Sequence, residues 1–311
     1  MDSETEAFRE LLLREGILTA STATLTPLTG GVSSEIYRAD NGGRTFVVKR
    51  ALAKLRVAVD WYADPGRSRT EQAYIRFVAG FRPDAVPQLI EGPKEAEYFC
   101  MEFLDGFANW KQDMLKGRCD LAIAETTGAL LGEIHRQSWG NPEAARTFDT
   151  LNLFDQLRLD PYLRATAAKH PELSEVIHAE VERLRQKREC LVHGDFSPKN
   201  LLHREGRVVA LDCETAVYGD PAFDLAFLLN HLFLKSLQRA PSPEPWPEMI
   251  EAAFAGYERE LPGHFAEVDR RTSHLLPMLT LARVDGKSPV EYLTDEAKRD
   301  FVRRFVTREL L

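Results

Sequence analysis

Leu191-Val192-His193-Gly194-Asp195-Phe196-Ser197-Pro198-Lys199-Asn200 packs an apolar lead-in, an acid and an amide into ten residues, and together with the segment after it this stretch decides the fold. Asn200-Leu201-Leu202-His203-Arg204 and Arg207-Val208-Val209-Ala210-Leu211 predict two short strands joined at Glu205-Gly206. The second strand delivers Asp212 straight after its apolar run. Such a hairpin brings Asn200 and Asp212 to the same end. An amide oxygen and a carboxylate held there suit a hard, oxygen-preferring cation such as Mg²⁺. Asp195, five residues before the amide, is then left to orient a hydroxyl.

The chain has 311 residues, 44% hydrophobic and 28% charged, which is ordinary for one large or two medium domains. Cys100, Cys119, Cys190 and Cys213 are widely spaced with no C-x-x-C pair, so isolated reduced thiols are expected rather than a disulfide framework or a zinc site. The acidic start Met1-Asp2-Ser3-Glu4-Thr5-Glu6 lacks the features of a signal peptide, and no stretch approaches the roughly 18 to 20 apolar residues of a membrane span. A cytoplasmic location without membrane contact is therefore expected. A net charge of -8 argues against a nucleic-acid partner.

Ser3 and Glu6 form a capping-box pattern ahead of Phe8, Leu11 and Leu12, with Gly16 as a stop, which predicts a short first helix. Leu25 to Leu28, Glu35 to Ala39 and Thr45 to Arg50 predict three strands of an antiparallel meander, with the turn Asn41-Gly42-Gly43 between the last two. The connection Thr29-Gly30-Gly31-Val32-Ser33-Ser34 has two readings. It is an ordinary hairpin loop, or a glycine loop whose backbone N–H groups approach phosphate oxygens. Lys49 likewise is a solvated lysine at a strand end, or it pairs with Glu71 on the next helical segment (Ala73, Tyr74, Phe77, Val78) to orient the phosphates of a nucleotide. Asp60 and Asp64 are competing acids. Val86 to Ile90 and Glu97 to Phe103 complete five strands in the first hundred residues or so.

Beyond Asp105-Gly106 helical patterns dominate, and Leu121 to His135 forms an apolar face of about five turns. A lobe boundary is expected near Leu104 to Gly106, giving domains 1–104 and 105–311. His135, at the end of that face, reads as a buried structural histidine. Asp220-Pro221 is an N-cap with proline at N1, and Asp224 lies in the first turn of the apolar helix beyond it. Asp224 is either a structural brace or a simple helix-dipole acid.

Over roughly residues 25 to 235 the chain resembles the aminoglycoside phosphotransferase and choline kinase family, small-molecule kinases with a protein-kinase-like fold. The spacing H-x-D-x-x-x-x-N with a later metal Asp, and Gly219-Asp220-Pro221-Ala222-Phe223-Asp224-Leu225-Ala226 after it, carry the resemblance. The resemblance implies an α+β, bilobal architecture, with a β-rich N-lobe, a mostly helical C-lobe and ATP or GTP with Mg²⁺ between them. It implies a nucleotide-binding loop at Gly30, Gly31 and Ser33, a phosphate-orienting pair Lys49 and Glu71, and a hinge Met101-Glu102-Phe103-Leu104, with Glu102 and Leu104 against the purine. It makes Asp195 catalytic, Asn200 and Asp212 metal ligands, and His193 and Asp224 supports of the site.

Two departures from the protein-kinase version bear on the acceptor. Gly194 stands where that motif has Arg, and Asp212-Cys213-Glu214 replaces D-F-G. Six residues separate Asp212 from Gly219 and no A-P-E comes after them, so a small-molecule hydroxyl is expected as acceptor rather than a peptide. Residues 264–311 carry nine Lys or Arg against eight Asp or Glu, without the acid excess that a polycationic aminoglycoside needs. Within them, Arg283 and Lys287 beside Gly286 are either an ordinary basic helix end or part of an acceptor site. The expected activity is Mg²⁺-dependent transfer of a γ-phosphoryl group to the hydroxyl of a small metabolite. The alternatives are a catalytically silent nucleotide-binding protein on the same fold, or an aminoglycoside-modifying phosphotransferase. Glu214 is a further acid within reach of a cation, and the oligomeric state is left open.

Overall fold

The chain divides into two units, Met1–Gly106, which holds the five-stranded sheet, and Phe107–Leu311, which holds most of the helices. The computed structural model describes residues 3–28, 33–52, 54, 64–90, 92 and 98–311. Its fold class is mixed α and β, a β-sheet unit followed by a helical one.

In the first unit, helix α1 (Ser3–Arg14) precedes strands β1 (Thr24–Pro27), β2 (Ser34–Asn41) and β3 (Arg44–Ala51). After helix α2 (Arg67–Ala79) come β4 (Leu89–Ile90) and β5 (Tyr98–Glu102). The sheet is antiparallel in the order β1-β2-β3-β5-β4. The three-strand meander forms as the sequence predicts, and β5 then inserts beside β3, pairing Lys49 with Phe99. Only Leu89 and Ile90 of the expected Val86–Ile90 strand join the ladder. Pro87 accounts for the shortening, since it has no N–H to donate. Phe8 and Leu12 of α1 share one apolar cluster with Leu25, Tyr37, Phe46, Val48 and Cys100.

The second unit opens with β6 (Ala108–Asn109), α3 (Trp110–Leu115), α4 (Leu121–Ser138), α5 (Pro142–Thr147) and α6 (Leu151–Phe154). A π-helical stretch, Asp155–Arg164, then runs into α7 (Ala165–Lys169) and α8 (Ser174–Gln186). Strands β7 (Cys190–Val192), β8 (Leu201–Arg204), β9 (Arg207–Ala210) and β10 (Val217–Gly219) come next. Four helices close the chain: α9 (Ala222–Arg239), α10 (Trp246–Glu260), α11 (Phe265–Asp285) and α12 (Glu296–Leu310).

Asp120 caps α4, its carboxylate accepting from Ile123 N at 3.1 Å. Helices α4 and α10 meet backbone to backbone, because a Cβ on Gly128 would lie 1.8 Å from Ala253 O and one on Gly256 2.1 Å from Glu125 O. That approach excludes any larger residue at either position. Helix α9 is buried almost all round, with Phe223, Phe227 and Leu234 in a core shared with Leu275, Met278 and Val302. The four cysteines are free thiols, Cys100, Cys190 and Cys213 buried and Cys119 half-buried. No helix among the described residues is long and apolar enough to cross a membrane.

Candidate active site

The loop between β7 and β8 is held from below by the first turn of α9. Asp224 is fully buried, and its two carboxylate oxygens accept the backbone N–H groups of His193 (2.6 Å) and Gly194 (2.9 Å). This is the geometry of a brace, and it explains how a carboxylate is tolerated among Phe223, Leu225 and Ala226. His135 packs behind it, 3.4 Å from Asp224 Oδ2 through Nε2 and 2.8 Å from the Tyr257 hydroxyl through Nδ1. Asp220 accepts from Ala222 N at 3.0 Å, as a cap would, and also binds Arg183 and Arg271.

Gly194 has φ +79°, and a Cβ there would meet Thr215 O at 2.7 Å. A side chain at this position is therefore strained twice over, which is the physical reason that Gly stands next to His193. Burial pushes the His193 imidazole pKa below its ordinary value. In the neutral ring Nδ1 accepts from Asp195 N (3.2 Å), so Nε2 carries the proton and donates to Leu211 O (3.1 Å). Leu211 N donates in turn to Asn200 O at 2.9 Å. His193 thus links the loop that carries Asp195 to the strand end that carries Asp212.

Asp195 is 3% exposed. Its Oδ2 lies 3.0 Å from Arg158 Nη2 and 2.9 Å from Lys199 Nζ, while its buried Oδ1 has no hydrogen-bond partner among the described residues. Burial raises the carboxyl pKa, but Lys199 and Arg158 outweigh burial and the net direction is downward, so Asp195 is ionised at neutral pH. Arg158 is itself fixed by donation from Nε to Gly194 O. It projects from the π-helical stretch, whose wider turn is a recurrent feature of functional sites.

Strands β8 and β9 pair around the turn Glu205-Gly206 and bring Asn200 and Asp212 to one end. Asn200 Nδ2 donates to Asp195 O at 3.0 Å, which turns its amide oxygen away from that contact. Asp212 has φ 62°, a left-handed conformation that Asp adopts more readily than most residues, and strain of this kind concentrates at functional positions. Carboxylate oxygens of Asp212 and Glu214 approach within 4.8 Å of each other. The interval after them folds back at once, β10 pairing antiparallel with β7 in the register Val217 to Val192.

In the first unit, Lys49 Nζ lies 2.8 Å and 2.7 Å from the two carboxylate oxygens of Glu71, both side chains being buried. Glu71 therefore meets Lys49, whereas Asp64 accepts from Gly66 N at 2.8 Å and Asp60 lies outside the described residues. Gly30 and Gly31 also lie outside them. Ser33, at the end of that connection, is tied down by Arg67, whose guanidinium donates to Ser33 O (2.5 Å) and Leu52 O (2.6 Å). Glu102 ends β5, its N–H donating to Gln88 O (2.8 Å) and its carboxylate accepting from Gln88 N (3.2 Å), and Leu104 lies just outside the strand.

Arg283 is buried at the end of α11, donating to the Tyr162 hydroxyl at 3.2 Å and to Ser288 Oγ at 3.0 Å. Lys287 is half-exposed and pairs with Asp160 at 2.7 Å. Three residues of these clusters escaped the sequence reading: Arg158, Lys199 as a partner of Asp195, and Arg67. Lys199 stands inside the deciding stretch itself but carries no signal of its own there, Arg67 lies in an ordinary segment, and Arg158, between Leu157 and Leu159, is a charge that needs a partner once that helix is buried.

Several known proteins are similar to this chain in sequence or in fold. Two methylthioribose kinases are among the relatives in sequence. That of Pectobacterium carotovorum subsp. carotovorum is 24% identical over 221 residues, 63% of this chain and 55% of that protein. That of Bacillus mycoides is 20% identical over 240 residues, 66% and 59% of the respective lengths. The chain thus spans less than two thirds of the length of these relatives. Among solved structures, the amicoumacin kinase hAmiN in complex with AMP-PNP, Ca²⁺ and Ami superposes with a TM-score of 0.61 at 14% identity, covering 99% of this chain and 93% of that one. A choline/ethanolamine kinase family protein from Mesorhizobium loti gives 0.56 at 16% identity, covering 98% and 94%. Both share the kinase-like fold. The model of the phosphotransferase enzyme family matches residues 24–268, from β1 through the β8–β9 hairpin into α11, and the chain belongs to that family.

Proposed function

We propose that this protein transfers the γ-phosphoryl group of ATP or GTP to a hydroxyl of a small metabolite, with Mg²⁺ as the required cation. One observation carries the reading: a buried, ionised Asp195 with one oxygen tied to two cations and the other unbonded, five residues from Asn200 and bridged through His193 to Leu211 and Asp212. The unbonded Oδ1 is the acceptor that a substrate hydroxyl requires. Asp195 orients that hydroxyl toward the phosphorus and takes its proton late, so its contribution is mostly positioning. Arg158 and Lys199 fix the carboxylate and keep it deprotonated.

Asn200, through its amide oxygen, and Asp212 would hold Mg²⁺, with Glu214 close enough to supply a further oxygen. The set is all oxygen, the left-handed backbone at Asp212 aims it, and both features fit a hard divalent cation. A cation there neutralises charge on the phosphate oxygens. Residues 1–104 supply the nucleotide contacts in this reading: Gly30, Gly31 and Ser33 near the phosphates, Lys49 held by Glu71 on the α- and β-phosphates, and the backbone at Glu102 and Leu104 against the purine. Residues 105–311 supply catalysis and the acceptor site.

The β7–β10 ladder favours a small acceptor, because it closes the interval after Asp212 before an extended peptide platform can form. Four free thiols are in keeping with a reducing, cytoplasmic setting. The test is triphosphate consumption by purified protein against a library of sugars, amino alcohols, hydroxy acids and aminoglycosides, with Mg²⁺ titrated. Mg²⁺-dependent turnover of a small alcohol is expected. Nucleotide binding without turnover of any alcohol would favour a silent nucleotide-binding protein instead.

A further inference from the structure

Helix α9 holds Asp224 in its first turn, under the catalytic loop, and carries Phe227, His231 and Lys235 at spacings of three, seven and eleven residues from it. These spacings keep all four on one face. Lys235 is 2% exposed and His231 4%. The Lys235 ammonium donates to the Tyr292 hydroxyl at 3.3 Å and lies 4.6 Å from that ring's centroid, and it has no carboxylate partner among the described residues. The neighbouring acid, Glu291, is taken by Lys111 at 2.5 Å. Arg283 is 8% exposed, and among the described residues it bonds only neutral groups, Tyr162 and Ser288, and its Nε has no partner. His231 Nε2 is buried and likewise without a partner among the described residues.

This region is continuous with Asp195. The Tyr162 ring has the Arg283 guanidinium 5.3 Å from its centroid and that of Arg158, the partner of Asp195, at 5.7 Å. Phe227 lies 5.6 Å from Tyr162 and 5.2 Å from His231. Burial pushes the Lys235 pKa well down, Lys111 and Arg283 push it further, and Glu291 opposes them weakly. Burial, then Lys235, Arg283, Lys199 and Lys111, do the same to His231. Among the described residues, the charged groups that act most strongly on Lys235 and His231 are therefore basic, apart from the occupied Glu291. An ammonium and a guanidinium kept dry without a counter-ion are unfavourable unless an anion joins them.

We propose that the acceptor carries an oxyanion, a carboxylate or phosphate, which Lys235 and Arg283 hold together with His231 Nε2–H while its hydroxyl meets Asp195. The donors suit that group: a planar guanidinium, a point-charge ammonium and an imidazole N–H, all desolvated. The inference rests on the kinase reading of Asp195 for the word acceptor, and on the α9 and α11 residues alone for the oxyanion. It makes polycationic aminoglycosides poor substrates.

Matched sets of alcohols test it: glycerol, glycerate and glycerol 3-phosphate, and ribose, ribonate and ribose 5-phosphate. The anionic members are expected to have at least tenfold higher kcat/KM than the neutral one of the same set. Whether carboxylate or phosphate leads identifies the source of the charge. Lys235→Met is expected to raise the KM of the anionic acceptor at least tenfold with the nucleotide KM within twofold of wild type, and Lys235→Arg to recover part of the loss. Binding of inorganic phosphate and of acetate, followed by thermal shift with the nucleotide site saturated, supplies a readout that needs no turnover. Protection by either anion that disappears in Lys235→Met supports the oxyanion site; the same protection with no alcohol turned over would overturn the kinase reading, and with it the acceptor assignment. Preferred turnover of neutral or cationic alcohols, or anion binding unchanged in Lys235→Met, would overturn the oxyanion site while leaving the kinase reading in place.

Discussion

Each unit buries a lysine, and the two lysines have opposite surroundings. Lys49 in the first unit sits against both oxygens of Glu71, so its charge is matched within the fold. Lys235 in the second unit has a tyrosine hydroxyl and ring for company and other cations nearby. Asp195 belongs with Lys235 rather than with Lys49, since its charge is over-matched on one oxygen and unmet on the other. Matched buried charge is stable without a further ion, whereas unmatched buried charge points to a group that the protein binds.

The strongest way to break this contrast is at the residues assigned to chemistry. Asp212→Ala is expected to leave no measurable Mg²⁺-dependent turnover, and Asn200→Ala to raise the Mg²⁺ requirement, because each removes an oxygen that the proposed metal site uses. Full activity of Asp212→Ala at low Mg²⁺ would sink the metal assignment. Asp195→Asn should lower kcat by about 10³-fold, ~4 kcal/mol of barrier, with nucleotide affinity unchanged in a titration. Loss of nucleotide affinity in that variant would move Asp195 among the nucleotide ligands.

The lysines themselves give opposite signs in one measurement. Lys49→Met strips Glu71 of its lysine inside the sheet unit and should cost about 3 kcal/mol in denaturant unfolding. Lys235→Met removes an uncompensated ammonium and should instead stabilise the ligand-free protein by ~1 kcal/mol at neutral pH. Linkage sets the pH dependence. With its folded pKa depressed by burial and by Lys111 and Arg283, Lys235 binds fewer protons folded than unfolded, so stability rises with pH from the depressed value up to the ordinary lysine range. Lys235→Met should lose that rise, and two variants that destabilise alike would erase the contrast. The smallest expected effect is at Arg158. Replacing it with Met takes one of two cations from Asp195, so the carboxyl pKa rises and the acid limb of the kcat/KM profile moves to higher pH. An unmoved limb would show that Lys199 alone sets the ionisation of Asp195.

Much of this arrangement is legible in the sequence because it is local. The hairpin that joins Asn200 to Asp212 announces itself through two apolar runs and Glu205-Gly206, and the helix carrying Glu71 through its spacing. Asp224 can be narrowed to a brace or a dipole acid, but its partners, the amides of His193 and Gly194, lie thirty or so residues away, and only the fold brings them in. Arg158 is illegible for two reasons. A π-helical turn has no periodic signature distinct from an α-helix, and Pro161 inside it reads as a breaker. Lys235 hides within Leu232-Phe233-Leu234-Lys235, where it looks like the solvated end of an apolar helix.

The pairing of β7 with β10 restricts how this protein can evolve. Val217, Tyr218 and Gly219 face Val192, Leu191 and Cys190 in fixed register, with the Asp195 loop leaving one strand and the Asp212 segment entering the other. Cys213, Glu214, Thr215 and Ala216, the link between Asp212 and Val217, are all buried, so an added residue there has to be taken up inside the core. Exposed loops can lengthen at little cost, but a longer insert in this buried link has to displace packed neighbours. Thr215, the one hydroxyl in that link, is 1% exposed, so a modifying enzyme reaches it only if the link opens, and the helices around the site are the easier place for change.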